Sequence, residues 1–155
     1  MIQLFVNRER ELDLLNRKYA EHSSQLIVLY GKRRIGKTEL IKKFLEDKDG
    51  AYILCTNDST EENIGEMKDK FAALTGKEYF RDIDVSSFYP LFRHLSEELD
   101  GRKAVIVIDE FPYLIELNRG VVSVFQKIWD ELLVDSTIFL ILCGSSMGMM
   151  ENEVL

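Results

Sequence analysis

The segment Gly31–Thr38 has the composition of an anion-binding turn. Two glycines, Gly31 and Gly36, are separated by four residues and followed by a lysine and a threonine, which matches the phosphate-loop pattern at every position. The glycines let the backbone curl so that successive N–H groups point inward at phosphate oxygens. Lys37 is suited to the β- and γ-phosphates as a point charge, and the hydroxyl of Thr38 is suited to Mg²⁺. The sequence therefore predicts a loop that holds a nucleoside triphosphate.

The predicted nucleotide contacts extend through the whole loop and into the helix that follows it. That helix opens at Gly36 and Lys37, and its positive N-terminal end favours an anion. The three consecutive cations of the loop have two interpretations. They are solvated charges, or they compensate the triphosphate or contact a neighbouring subunit. The full predicted set is Gly31, Lys32, Arg33, Arg34, Ile35, Gly36, Lys37, Thr38 and Glu39.

A pair of carboxylates, Asp109 and Glu110, ends the apolar run Ala104–Ile108. The carboxyl ends of parallel strands face the ligand crevice, so both side chains are expected there. Asp109 is predicted to hold Mg²⁺ through water, and Glu110 to orient or deprotonate the attacking water. A surface turn at a strand end is the alternative interpretation. The pair follows Lys37 by 72 residues with one strand–helix unit between them, which favours the catalytic interpretation.

A third polar position follows the apolar run Ile138–Cys143 and Gly144. Either Ser145 or Ser146 is suited to sensing the γ-phosphate or holding the attacking water, and Ser145 is the predicted catalytic residue. An ordinary turn serine is the alternative interpretation.

Four short apolar runs, rich in β-branched residues, must position these side chains. None alternates polar with apolar residues, so each is expected to be buried on both faces, as in a parallel sheet. The amphipathic stretches between them predict helices that cross over the sheet, which indicates an α/β layered fold. The segment Gly76–Ser87 is the least periodic and is predicted to loop out. The predicted strands are Leu26–Tyr30, Ala51–Cys55, Ala104–Ile108 and Ile138–Cys143.

Each predicted helix carries apolar residues on one face, and two have recognisable caps. Asn7 is a candidate cap for the first helix, and Ser59 with Glu62 forms a candidate capping box for the third. The apolar faces are Leu12, Leu15 and Tyr19; Leu40, Ile41, Phe44 and Leu45; Ile64, Met67, Phe71 and Leu74; Phe88, Leu91, Phe92, Leu95 and Leu99; and Val122, Phe125, Trp129, Leu132 and Leu133.

The length and composition are those of one globular domain. The chain has 155 residues, of which 46% are apolar and 30% charged, and no apolar run approaches the ~18 residues of a membrane span. Twenty basic against 27 acidic residues leave a net charge of −7, which argues against a broad nucleic-acid surface but not against a local basic patch. Cys55 and Cys143 are predicted to be buried cytosolic thiols, and His22 and His94 lack metal-ligand spacing.

Taken together, the motifs resemble the N-terminal part of an archaeal-type ATPase, in the additional-strand class of P-loop proteins close to AAA+. The resemblance implies a three-layer α/β P-loop core with a mostly parallel sheet, in which the P-loop strand lies beside the strand that ends at Cys143. It also implies that Asn7 lies near the adenine, whereas an ordinary capped helix is the alternative there. The matching segments are Phe5–Leu12, Tyr30–Thr38, Ile108–Leu114 and Cys143–Ser146.

The resemblance further implies parts that these 155 residues lack. Family members add a fifth strand, a helical lid and a C-terminal domain often suspected of binding DNA. Residues 1–155 are therefore expected to form a truncated P-loop ATPase core, with DNA binding only through the missing C-terminal part. No lid arginine and no arginine finger is assigned.

The predicted function is Mg²⁺-dependent ATP binding and hydrolysis in the cytoplasm, with ATP and Mg²⁺ as cofactors and ATP or ADP as partner. A homo-oligomer is left open, and no membrane partner is expected. The alternative is an ATP-gated switch or interaction module with little turnover. Glu110 favours the enzyme, whereas the missing lid favours the switch and predicts slow hydrolysis. A GTPase is disfavoured because the chain has no Asn-Lys-x-Asp string, and a small-molecule kinase lacks a visible acceptor site.

The predicted strand Leu26–Tyr30 is expected to lie at an edge of the sheet if the fifth strand is missing. Such an edge, formed by Leu, Ile, Val and Leu without a charge or a proline, presents unpaired backbone groups that favour pairing with another strand. Three outcomes are expected: the edge pairs with another chain, it is covered by the segment Ile2–Val6, or the protein aggregates.

Overall fold

The computed structural model of the chain describes residues 2–5, 10–21, 23–31 and 36–145, with residues 2–5 described by their backbone alone. Several residues singled out in the sequence lie outside these ranges, and their assignments stay predictions. They are Asn7, His22, Lys32, Arg33, Arg34, Ile35 and Ser146.

Within the described residues, five parallel strands form one sheet in the order β1-β2-β5-β4-β3. The four predicted strands are confirmed, and β2 lies beside β5 as the resemblance implied. The strands are β1 (Ile2–Phe5), β2 (Gln25–Tyr30), β3 (Gly50–Leu54), β4 (Ala104–Asp109) and β5 (Ile138–Gly144).

Helices cover the sheet on both faces, which confirms the three-layer α/β fold. The helices are α1 (Arg10–Ala20), α2 (Lys37–Leu45), α3 (Thr60–Thr75), α4 (Tyr79–Asp82), α5 (Phe88–Leu99), α6 (Pro112–Leu117) and α7 (Val121–Ile128), which runs into a π-helix (Trp129–Leu133). Within the part of the chain that the structure describes, none of these helices is long and apolar enough to span a membrane.

Strands β4 and β5 are buried along their whole length, and each supplies both halves of the core. Along β4, Val105 and Val107 pack with α1 and α2, whereas Ile106 and Ile108 pack with α3, α5 and α7. Side chains of a strand alternate between the two faces, so a strand covered on both sides must be apolar at every position. This requirement explains why the runs in the sequence do not alternate.

Two segments differ from the sequence predictions. The stretch predicted to loop out contains α4, because Phe80 is fully buried with its ring 6.3 Å from that of Phe71. In the last predicted helix the π-helical turn changes the number of residues per turn. Phe125 and Leu133 are buried as predicted, and the other predicted residues of this face, Val122, Trp129 and Leu132, are partly buried against the same core. The helix also buries Val121 and Ile128.

The predicted cap of α3 is present. Ser59 is the N-cap residue, and its hydroxyl oxygen accepts a hydrogen bond from the Glu62 backbone N–H at 3.0 Å. This contact satisfies one of the amide groups that the first turn of a helix leaves without a partner.

Strand β1 lies beside β2 on the side away from β5, where the sequence analysis expected an exposed edge or a covering N-terminal segment. Its residues pair in parallel with β2, from Ile2 opposite Ile27 to Phe5 opposite Tyr30. Of the three expected outcomes for the edge, the structure has the one in which the N-terminal segment covers it. β2 therefore has a strand on each side, with β1 and β5 as its neighbours.

Removing this strand should destabilise the domain. A chain that begins at residue 6 loses a ladder of four residue pairs. At about 1 kcal/mol for each backbone hydrogen bond, the free energy of unfolding should fall by on the order of 2–5 kcal/mol. Urea denaturation measures this loss, and light scattering should show association through the opened edge. A shortened chain that stays monomeric and unfolds at the same urea concentration would show that β1 contributes nothing.

Candidate functional site

The candidate site lies where β2, β5 and β4 end side by side. Tyr30 pairs with Gly144 and Ile108 with Leu142, so the segments after the three strands leave the sheet at one edge. Two backbone hydrogen bonds extend the ladder beyond the strands: Gly31 N–H donates to Gly144 O at 3.2 Å, and Phe111 N–H donates to Cys143 O at 2.8 Å. Gly31, the acidic pair and Ser145 are thereby placed together.

Gly36 makes the turn from the loop into α2. Its φ is 89°, in the left-handed region that glycine adopts without strain. A Cβ atom built on Gly36 would meet nothing within 4 Å, so the glycine is needed for its backbone conformation and not for space. Its carbonyl oxygen accepts from Leu40 N–H at 2.8 Å, which starts the helix. The N–H groups of the first turn have no partner within the helix and point out of its N-terminus.

Lys37 is buried at the centre of the site. Its side chain is 6% exposed, and Nζ lies 3.3 Å from Asp109 Oδ1 and 3.4 Å from Glu110 Oε1. Nζ also donates a hydrogen bond to Ser145 Oγ at 3.0 Å. One cation thus faces two carboxylates, and an entering anion competes with that pair for the lysine.

Asp109 is held by donors on both of its oxygens. Oδ1 accepts from the Glu110 backbone N–H at 2.8 Å and faces Lys37, whereas Oδ2 accepts from the hydroxyl of Tyr52 on β3. Its side chain is 3% exposed, so these contacts replace water around the carboxylate. Burial raises the pKa of Tyr52, and the hydrogen bond to Asp109 raises it further, so the phenol stays protonated and donates.

Glu110 has an unusual backbone that sets the direction of its side chain. Its φ is 57°, a left-handed conformation that costs a residue with a Cβ on the order of 1–3 kcal/mol. Contacts on each side hold it there: its N–H donates to Asp109, and its carbonyl oxygen accepts from Tyr113 N–H at 3.0 Å. Its carboxylate accepts from Ser145 Oγ at 2.7 Å, so the serine links Lys37 to Glu110.

A cleft of about 780 Å³ opens above this cluster. The predicted residues Gly36, Lys37, Thr38, Glu39, Glu110 and Ser145 all line it. The sequence did not point to its other wall, which is formed by Leu54, Cys55, Thr56, Asn57 and Tyr113. Leu54 pairs with Asp109, so knowing that β3 neighbours β4 would have placed this wall.

Asn63 fixes the loop that forms this second wall. Its side chain is buried; Oδ1 accepts from Thr56 N–H, and Nδ2 donates to the carbonyl oxygens of Thr56 and Ser59, each at 2.9 Å. A buried amide with three such contacts holds a short turn rigid. The wall therefore has a fixed shape.

The two cysteines are buried free thiols, as the sequence predicted. Burial, with added repulsion from Asp109 and Glu110, raises the pKa of Cys55 to about 12. Burial also raises the pKa of Cys143 well above its ordinary value. Both thiols are therefore protonated near neutral pH, and neither is suited to act as a nucleophile although Cys55 lines the cleft.

Comparisons with known proteins agree with this architecture. Residues 5–155 match a family described as an ATPase domain predominantly from Archaea. An uncharacterized protein of Methanocaldococcus jannaschii is 56% identical over 93 residues, which are 60% of this chain and 89% of that protein. A second from this organism is 36% identical over 157 residues, 98% of this chain and 32% of that protein. An uncharacterized ATP-binding protein, also from M. jannaschii, is 62% identical over 47 residues, which are 30% of this chain and 80% of that protein.

Two solved structures share the fold. A Walker-type ATPase of Pyrococcus abyssi has a TM-score of 0.62 at 20% identity, over 95% of this chain and 47% of that one. The ORC2 protein of Aeropyrum pernix, in ADPNP–ADP complexes, has a TM-score of 0.67 at 17% identity, over 94% of this chain and 44% of that one. This chain thus spans less than half of both structures, and about a third of the second sequence relative.

The family match extends over nearly the whole chain, and the two solved structures have the same arrangement of sheet and helices. The chain belongs to the family of ATPase domains found predominantly in Archaea, and its fold is that of an archaeal-type P-loop ATPase.

Proposed function

We propose that this domain binds ATP together with Mg²⁺ and hydrolyses its γ-phosphate bond. The proposal rests above all on one observation: Lys37, Asp109, Glu110 and Ser145 converge within hydrogen-bonding or ion-pair distance on the floor of a cleft that opens beside the N-terminus of α2. Membership in an ATPase family and the nucleotide complexes of the ORC2 protein support it.

The phosphates would lie against the first turn of α2. The N–H groups that begin a helix and its positive end attract anions, and the cleft gives access to them. In this scheme Lys37 turns from the carboxylates to the β- and γ-phosphate oxygens. Gly31–Glu39 supply the remaining contacts, and Asn7 contacts the adenine; at Asn7 and residues 32–35 the sequence alone supports these roles.

The residues of the cleft fit a Mg²⁺ ion that arrives with the nucleotide. Mg²⁺ binds through one or two protein oxygens and completes its shell with phosphates and water. Asp109 offers a buried carboxylate, and Thr38 lies on the lining of the same cleft. Among the described residues, no group of three or more His, Cys, Asp or Glu side chains is arranged to hold a metal. When bound, the ion neutralises charge on the phosphate oxygens.

Glu110 would activate the attacking water. It lines the cleft and is 17% exposed, whereas Asp109 is 3% exposed, so Glu110 is the more accessible of the two carboxylates to the attacking water. When Lys37 moves to the phosphates, the Glu110 carboxylate loses its cation and becomes a better proton acceptor. Ser145, which donates to Glu110 and accepts from Lys37, would keep the carboxylate pointed at the water.

The same contacts favour a second candidate function, an ATP-gated switch with little turnover. Glu110 is engaged by both Lys37 and Ser145, so binding of ATP would have to rearrange the cluster before any water is activated. We place residues 1–155 as an AAA+-like core of a longer protein, in which oligomerisation and any contact with DNA depend on further parts.

Nucleotide binding measured by calorimetry tests the function directly. Mg²⁺ added to the protein alone should give no binding, because the described protein ligands are too few. ATP should bind at least about tenfold more tightly with Mg²⁺ than with EDTA, a difference of about 1.4 kcal/mol. ADP should bind as well, and GTP more weakly than ATP. Tight binding of Mg²⁺ without nucleotide, or equal affinity for ATP in EDTA, would contradict the proposed magnesium site. Steady-state phosphate release then separates the enzyme from the switch.

A further inference from the structure

Tyr52 reaches the acidic pair from the neighbouring strand. It lies on β3 opposite Val107, and Asp109 is two residues further along β4, on the same face of the sheet. Diagonal neighbours of this kind are within reach of a long aromatic side chain. The ring packs with the core that α1 and α2 cover, and the hydroxyl donates to Asp109 Oδ2.

Because of this contact, the two carboxylate oxygens of Asp109 have different partners. Oδ2 is held by a neutral donor from β3, whereas Oδ1 is shared between the Glu110 N–H and the Lys37 cation. In the proposed function, Lys37 is the partner that would leave when phosphates arrive, and this would free Oδ1. Tyr52 and the backbone stay, so the carboxylate keeps its orientation through the exchange.

We propose that Tyr52 is a positioning residue that orients the Asp109 carboxylate for the Mg²⁺ of a bound nucleotide. This inference rests on the proposed function, because it needs Asp109 to face that ion. Partners that orient a metal-binding carboxylate typically change metal affinity about 10- to 100-fold when they are removed. The tyrosine is neutral, so its removal should affect the metal without changing the charge that a phosphate meets.

The variant Tyr52→Phe removes the hydroxyl and keeps the ring in the core. The metal is measured with Mn²⁺, whose EPR signal reports binding to the protein–ADP complex, and ADP affinity is measured separately in EDTA. We expect Mn²⁺ affinity to fall about tenfold and ADP affinity in EDTA to stay within about twofold. A loss of folded protein would lower the apparent affinities for Mn²⁺ and for ADP alike, so the ratio of the two affinities is insensitive to stability.

Tyr79→Phe is the matched control. The Tyr79 hydroxyl also donates to a carboxylate, Glu98 at 2.8 Å, but on the surface of α4 and α5. It should leave both affinities unchanged. The variant Asp109→Asn should lose the metal contribution by itself, and adding Tyr52→Phe to it should cause no further loss, because the tyrosine acts only through Asp109.

The outcomes distinguish the role of Tyr52 from the proposed magnesium site on which it rests. If wild-type protein and Asp109→Asn differ in Mn²⁺ affinity but Tyr52→Phe matches wild type, the role of Tyr52 is overturned and the magnesium site stands. The role of Tyr52 is also overturned if its loss weakens binding equally with and without metal, or adds fully to Asp109→Asn. If Asp109→Asn binds Mn²⁺ as wild type does, the proposed magnesium site is wrong and the inference is overturned with it.

Discussion

Glu110→Gln is expected to lower the rate of ATP hydrolysis by about 10²–10⁴-fold, the usual contribution of a general base. The amide has the size of the carboxylate and still accepts the hydrogen bond that Ser145 donates. It cannot take a proton from water. The change also removes one of the two negative charges beside Lys37, so ATP affinity should be equal to or higher than that of wild type.

Phosphate release and nucleotide affinity are measured on the same samples. Glu97→Gln serves as the control, because it makes the same chemical change at an exposed position on α5. Undiminished hydrolysis in Glu110→Gln would assign the base to another residue. If wild-type hydrolysis is already at the level of the variant, the domain is a nucleotide switch and not a hydrolase.

Lys37→Ala is expected to weaken ATP binding by about 2–3 kcal/mol, or roughly 30- to 160-fold. Two effects add in the same direction. The phosphates lose a charge-assisted contact, and they meet Asp109 and Glu110 without the cation that lies 3.3 and 3.4 Å from these carboxylates. Repulsion between the two carboxylates and the triphosphate then opposes binding.

Calorimetry with ATP measures the loss, and urea denaturation shows whether the unpaired carboxylates also lower stability. Lys42→Ala is the matched control, since this lysine lies on the same helix but is exposed and away from the cleft. ATP affinity in Lys37→Ala equal to that of wild type would contradict the assignment of the phosphate loop.

The sequence was sufficient for the parts of the site that lie at strand ends. Asp109 and Glu110 follow a run that is apolar at every position, and Lys37 follows a glycine. Both the motif and its place in the fold can therefore be recognised from the sequence alone. The structure brings these three residues and Ser145 together, as the sequence analysis expected. Their catalytic roles stay predictions.

Tyr52 was not predicted because its role depends on which strands are neighbours. Nothing in the sequence of β3 distinguishes an aromatic residue that fills the core from one that also reaches across to β4. The left-handed backbone of Glu110 was equally hidden, since the usual indication of a positive φ is glycine or asparagine and not glutamate. In α4, a single buried phenylalanine, Phe80, orders a segment too short to show periodicity.

The pairing of β2 with β5 has a consequence for how the protein is made. Lys37 is separated from its partner Ser145 by 108 residues. Each residue pair between the two strands joins residues 114 positions apart, as from Gln25 to Phe139. Contacts this distant require closure of a long loop and form slowly compared with local ones. A ribosome that has released the chain only as far as β4 carries Gly36 and Lys37 without β5. The cleft is therefore completed only after β5 has been synthesised and has entered the centre of the sheet.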